Sequence, residues 1–315
     1  MKRYLSIILC FVLTITFLSG CNQKPTDVRI VSVENSAATA LAHIFEQSEG
    51  SNNYISTVVN LPNRVRTLMY DGECDVAVIP VETATIIYRR KNPEVKILAG
   101  ISVGGFELVA TRTISDLSEL KNQTIYLTER STLMESLLKY AVSLYDIDPF
   151  EDISFEYASD KSQLKKMLNN NEATFALLSS ADATALKSDL ESVVSYNLTD
   201  ELAKKLKNPS VISYCVVATD DFIDDNPKAV KKMLEDIENS IKSSSNTTNT
   251  VSLAKKHNLL TDDFYNEDFL ASCKAEYISG EKMKEKLTAY YSLLKKIKAS
   301  SIGSSQPNDD FYFIP

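Results

Sequence analysis

Histidine is almost missing from this chain: 315 residues hold two, His43 and His257. Each falls in a helical stretch, with no serine, cysteine or carboxylate at a spacing that nucleophilic or acid–base catalysis uses. His43 follows Ala42 on a core-facing side, so its expected role is packing. Usable cysteine is scarce too. Of five, Cys10 and Cys21 belong to the amino-terminal segment. Cys74, Cys215 and Cys273 stand alone, without a C-x-x-C pair or a nearby histidine, and carry no zinc signature. Cys74 and Cys215 lie in strand-like apolar runs, where a free thiol packs as a small hydrophobe; a Cys74–Cys215 bridge is the competing reading. There is no P-loop, no G-x-G-x-x-G and no EF-hand loop, and no internal repeat or heptad pattern. Positive charge is in deficit: 34 Lys and Arg against 42 Asp and Glu give −8. That balance argues against nucleic acid or an anionic membrane surface as partner, though a local site can still oppose it. Nothing calls for a cofactor or a metal.

Long apolar runs are missing after residue 18. The one present, residues 4–18, is short for a hydrocarbon core that needs ~20 apolar residues. It follows Lys2 and Arg3 and ends in Leu18-Ser19-Gly20-Cys21. A positive start, an apolar stretch and small residues at a cut site make a secretory signal. A cysteine directly after the small pair resembles the lipobox of bacterial lipoproteins. The resemblance implies residues 1–20 as a signal peptide and Cys21 as a lipidated first residue. Residues 21–26 become a tether, at the extracytoplasmic face of the cell membrane. Losing Lys2 and Arg3 takes the charge to −10.

Residues 21–315 are enough for two lobes of about 100–150 residues. A hydrophobic content of 44% and a charged content of 24% supply an ordinary core. Strand patterns at 27–34, 54–61 and 74–81 alternate with helical ones at 37–47, 62–70 and 82–90. Pro62 opens the second helix and Asp71-Gly72 closes it. Such alternation implies parallel strands in an open α/β sheet. Strands at 95–102 and 106–111 flank Gly104-Gly105, which marks a tight turn or a close backbone approach. A second α/β series follows. Its strands are 123–128, 153–157, 174–179 and 192–196; its helices are one capped by Ser131, one ending near 168, and 181–186. A strong strand spans 211–219. Helices then cover 227–241, 250–257, 262–271 and 280–298, with 243–249 as a polar loop.

This order resembles ABC-importer substrate-binding proteins of the nitrate/sulfonate/taurine and thiamine-pyrimidine type. The likeness rests on the lipobox, on DGECDVAVIPVETATIIYRR, on ISDLSELKNQTIYL opening a second lobe, on VISYCVVATDDFIDDNPKAV, and on the tail PNDDFYFIP. It implies a two-lobed, hinged periplasmic-binding-protein fold of type II. Lobe one would be 27–110 plus 211–315 and lobe two 111–210, with crossings near 110–112 and 209–213. It further implies a monomeric binding protein, not an enzyme, with a small-molecule ligand and with permease and ATPase subunits as partners. The ligand would be a small nitrogen heterocycle or a small anion such as sulfonate or nitrate. An enzyme of pyrimidine-precursor or menaquinone-pathway type, or a sensory lipoprotein, would be the alternative on the same fold.

Ligands of open α/β sheets bind beyond the carboxyl ends of the strands. The candidate site is therefore Glu34, Asn35, Ser36, Asn63, Glu82 and Thr83 from lobe one, with Gly104 and Gly105 at the floor. Lobe two offers Thr128, Glu129, Arg130, Ser131, Thr132, Ser179 and Ser180, and Tyr214 could stack on a ring or close one wall. Helix amino termini at Ser36 and Ser131 suit an anion, and Arg130 could grip one. Glu82 favours N–H donors or positive charge. Capping by the serines, a solvated surface charge at Arg130, and dipole-favoured acids at Glu34 and Glu82 are the structural alternatives.

Overall fold

A computed structural model describes residues 25–33, 36–46, 52–59, 62–102, 105–128, 133–190, 192–206, 212, 214–260, 267, 270–271, 275–302 and 306–315. The signal segment and Cys21 lie outside the described residues, as do Cys273 and most of the helix expected over 262–271.

The first stretch alternates as the sequence predicts: β1 (Thr26–Val33), α1 (Ser36–Ala40), β2 (Asn52–Val59), α2 (Pro62–Tyr70), β3 (Val76–Pro80), α3 (Val81–Arg90) and β4 (Val95–Ser102). Helix α1 is shorter than expected. Beyond Ala40 the chain continues in i→i−3 bonds, such as the Leu41 amide to Ala38 O at 3.0 Å. Ala37, Leu41, Ala42 and Ile44 are all fully buried there. Helix α2 is closed at Gly72, whose φ of +69° is a conformation that favours glycine.

The second stretch holds β5 (Phe106–Ala110), β6 (Gln123–Leu127), α4 (Leu133–Ser143), β7 (Ile153–Tyr157), α5 (Lys161–Asn169), β8 (Phe175–Ser179), α6 (Ser180–Asp189), β9 (Val194–Asn197) and α7 (Leu198–Leu206). The chain then returns as β10 (Tyr214–Thr219), α8 (Asp220–Asp225), α9 (Pro227–Ser243), α10 (Thr247–Lys256), β11 (Glu276–Ser279) and α11 (Gly280–Ile302). Helix α10 begins inside the stretch expected as a polar loop, capped by Asn246. Strand β11 was not expected; four residues are too few for alternation to register.

Two sheets result, ordered β11-β4-β10-β3-β1-β2 and β7-β6-β8-β5-β9. In the first, β1 pairs in parallel with β2 and β3, while β10 runs antiparallel between β3 and β4. Strand β3 is buried on both faces, hence its continuous apolar sequence. Val76 and Val78 face a core with Leu41, Met233 and Ile237. Ala77 and Ile79 face another with Val65, Ile87, Leu287 and Tyr291. The second sheet is layered likewise. Leu108, Ile125 and Phe175 pack on α4 and α7, and Val109, Ala176 and Leu178 on α5 and α6.

One boundary needs correction. Residues 106–110, assigned above to lobe one, form β5 between β8 and β9 of the second sheet. The chain therefore leaves the first sheet before Phe106, not near 110–112. A strand's own pattern shows that it is buried, not which neighbours bury it. The returning crossing falls almost entirely outside the described residues.

Candidate functional site

In each sheet, one set of strand ends lies at the place where the chain passes to the other sheet. In the first sheet, β3 ends at Pro80, and antiparallel β10 starts beside it, with Tyr214 opposite both Pro80 and Ile101. In the second, β8 ends at Ser179 opposite Phe106, the first residue of β5.

Gly105 and Ser180 make that second corner rigid. The Gly105 amide donates to Ser180 Oγ at 3.1 Å, and the Ser180 amide donates back to Gly105 O at 2.8 Å. A Cβ on Gly105 would stand 2.7 Å from Thr199 Oγ1, so a close approach is present at Gly105; Gly104 and the turn it would make lie outside the described residues. Ser180 is buried and spends its hydroxyl on the crossing. Ser179 is the amino cap of α6: its Oγ accepts the Asp182 amide at 3.1 Å and donates to Asp182 Oδ2 at 2.8 Å. Both serines thus have structural work at the corner.

On the first lobe, Glu82 and Thr83 lie in the first turn of α3. Thr83 is buried. Glu82 is half-buried and accepts a 2.8 Å bond at Oε1 from the Tyr290 hydroxyl, which comes from α11. Burial, then the charge of Glu82, push the Tyr290 phenol well above its usual range. The Cys215 thiol is raised by the same two causes in the same order. Cys74 is pushed up to about 12, mainly by burial. Both thiols are free and buried, so the bridge between them is not formed.

The other expected site residues are placed as follows. Asn63 is exposed on α2 and its Oδ1 accepts from Arg66. Thr128 is half-buried just past β6. Ser36 opens α1. Glu34, Asn35, Gly104, Glu129, Arg130, Ser131 and Thr132 lie outside the described residues.

The sequence reading missed Tyr290, Thr199 and a second held carboxylate. Glu135, in the first turn of α4, is 6% exposed. It accepts from Lys139 Nζ at 2.6 Å and from the Tyr157 hydroxyl at 3.1 Å.

The histidines stay away from this region. His43 is buried, its Nε2 2.8 Å from Thr250 Oγ1. Thr250 donates to Asn246 O, so the ring donates from Nε2. His257 lies 2.9 Å from Glu46 Oε1. Among the described residues no group of three His, Cys, Asp or Glu could hold a metal ion, and no helix is long and apolar enough to cross a membrane.

No family model and no curated protein matches the chain. Solved structures do, over nearly its whole length. The crystal structure of an ABC transporter from Parabacteroides distasonis is 16% identical, with a TM-score of 0.74 over 91% of this chain and 99% of that one. The ligand-binding component of an ABC-type import system from Staphylococcus aureus, with zinc bound, is 14% identical, with a TM-score of 0.66 over 92% and 97%. The periplasmic aliphatic sulphonate binding protein SsuA from Escherichia coli is 12% identical, with a TM-score of 0.62 over 90% and 94%. At such identities the likeness is one of fold. The chain has the two-lobed α/β fold of periplasmic binding proteins.

Proposed function

We propose that this chain is an extracytoplasmic solute receptor, anchored by lipid on Cys21, that closes its two lobes on a small molecule and delivers it to an ABC importer permease. The observation that carries the reading is the paired geometry of the crossings. Pro80, Glu82 and Tyr214 of one sheet and Gly105, Ser179 and Ser180 of the other bring strand ends to the corners where the chain changes lobe. Hinge closure about such crossings is the usual motion of a two-lobed binder. The fold shared with proteins described as an ABC transporter and as the ligand-binding component of an ABC-type import system supports transport over catalysis. The run from Lys2 to Cys21 supports the anchor.

The test is a thermal-shift screen of the full chain in detergent against aminopyrimidines, polyamines, amino acids, sulfonates and nitrate. A solute at 100 times its dissociation constant adds about 2.7 kcal/mol of stability. No shift across the panel would remove the receptor reading. Separately, Cys21→Ser should release the protein from the membrane fraction; unchanged fractionation would count against the lipid anchor.

A further inference from the structure

Tyr290 is 1% exposed and donates to Glu82 Oε1 at 2.8 Å. Its neighbour Tyr291 places its hydroxyl 2.8 Å from Thr85 Oγ1. Two phenols from α11 thus grip the first two turns of α3 at two points. The Tyr290 phenol stays protonated, because burial and the Glu82 charge both oppose its ionisation, so toward Glu82 it is the donor. A carboxylate that accepts from a fixed donor keeps one orientation whether or not a ligand is present, and binding then costs less side-chain ordering. An acid in a first helical turn is favoured by the helix dipole anyway. The dipole, however, does not require a tyrosine buried against that acid.

Place matters as much as geometry. Glu82 lies just beyond the carboxyl end of β3, beside the start of β10. Three residues on from Tyr290, Leu293 is buried in the core of the second lobe. The Tyr290–Glu82 pair therefore stands at the seam between lobes.

We propose that Tyr290 is a positioning residue that aims Glu82 as an acceptor for ligand N–H groups, so that the solute is a small amine or amino-substituted heterocycle. The inference rests on the solute-receptor reading above. Amino N–H donors meet a held carboxylate in charge-assisted hydrogen bonds, whereas a sulfonate or nitrate there would face like charge.

The test is calorimetric titration of the full chain in detergent with 4-aminopyrimidine, putrescine, methanesulfonate and nitrate. One of the two amines should bind and neither anion should. Glu82→Gln should weaken the amine at least about tenfold, the scale of a hydrogen bond to a charged group. Tyr290→Phe should weaken it about three- to tenfold, and should have no further effect in the Glu82→Gln background. A merely structural tyrosine would cost the same in both backgrounds. Should Tyr290→Phe fold poorly, Glu82→Asp withdraws the carboxylate from Tyr290 with the tyrosine intact, and binding should fall in the same way. Binding of an anion, above all if Glu82→Gln tightens it, overturns the inference and leaves the receptor reading standing. So does an equal Tyr290→Phe loss in both backgrounds. If none of the four probes binds, the inference falls; the receptor reading falls only if the wider panel also fails.

Discussion

Each lobe holds a glutamate in the first turn of a helix that follows a strand, and each lets a tyrosine hydroxyl donate to it. The partners differ. In lobe two, Glu135 takes Tyr157 from the neighbouring strand and an ion pair from Lys139 on its own helix. Its charge is answered locally and within one continuous stretch of chain. In lobe one, Glu82 takes Tyr290 from 208 residues away, on a helix that also contributes Leu293 to the core of lobe two. The first arrangement reads as internal stabilisation. The second ties a carboxylate just beyond β3 to a helix that packs on both lobes.

The largest expected effect comes from cutting that tie. Leu293→Ala should cost about 2–5 kcal/mol, as large-to-small core changes do. Denaturant unfolding that is one transition in the parent should separate into two, one per lobe. A single unshifted transition would show that α11 does not couple them. The two glutamates can then be set against each other. Glu135→Gln removes a charged acceptor from two donors and should cost about 1.5–3 kcal/mol, while Glu82→Gln should change ligand binding far more than melting. The reverse pattern would erase the contrast. At the corner between the lobes, Gly105→Ala puts a methyl against Thr199 Oγ1 and should cost about 1–3 kcal/mol. Most of that should return when Thr199→Ala is added, which circular dichroism melting would read.

The smallest effect is in pH. Burial holds His43 below the ordinary histidine value, partly opposed by Glu46. The folded state thus favours the neutral ring, and the unfolded chain binds the proton more readily. Stability is complete above the unfolded value near 6.5 and declines as pH falls through the lower folded value. His43 lies in lobe one, against Thr250 of α10, so mild acid should loosen that lobe first. His43→Gln should flatten the slope below pH 6.5 in urea titrations.

The βα units at Val76–Arg90 and Phe175–Asp189 were legible in the sequence, because buried strands and helical stripes have different periods. The place of β5 was not, since an apolar run such as Phe106–Ala110 carries no record of its hydrogen-bonding partners. Glu82 could be named from its position just after a strand. Tyr290 could not, because no local pattern relates residues on opposite ends of a chain. Ser179 and Ser180 show the converse limit. Their type and place suited a ligand, and only the bonds to Asp182 and Gly105 reveal that the fold already uses them.

The central position of β10 gives the molecule a schedule. Strands β3 and β4 meet only through it, so the first sheet stays in two pieces until residue 219 is available. Lobe two has no such gap and can complete itself from one uninterrupted run of chain. Domains usually mature from the amino terminus onward as the chain emerges. Here the lobe that begins first must finish last, because its central strand comes after the whole of the second lobe.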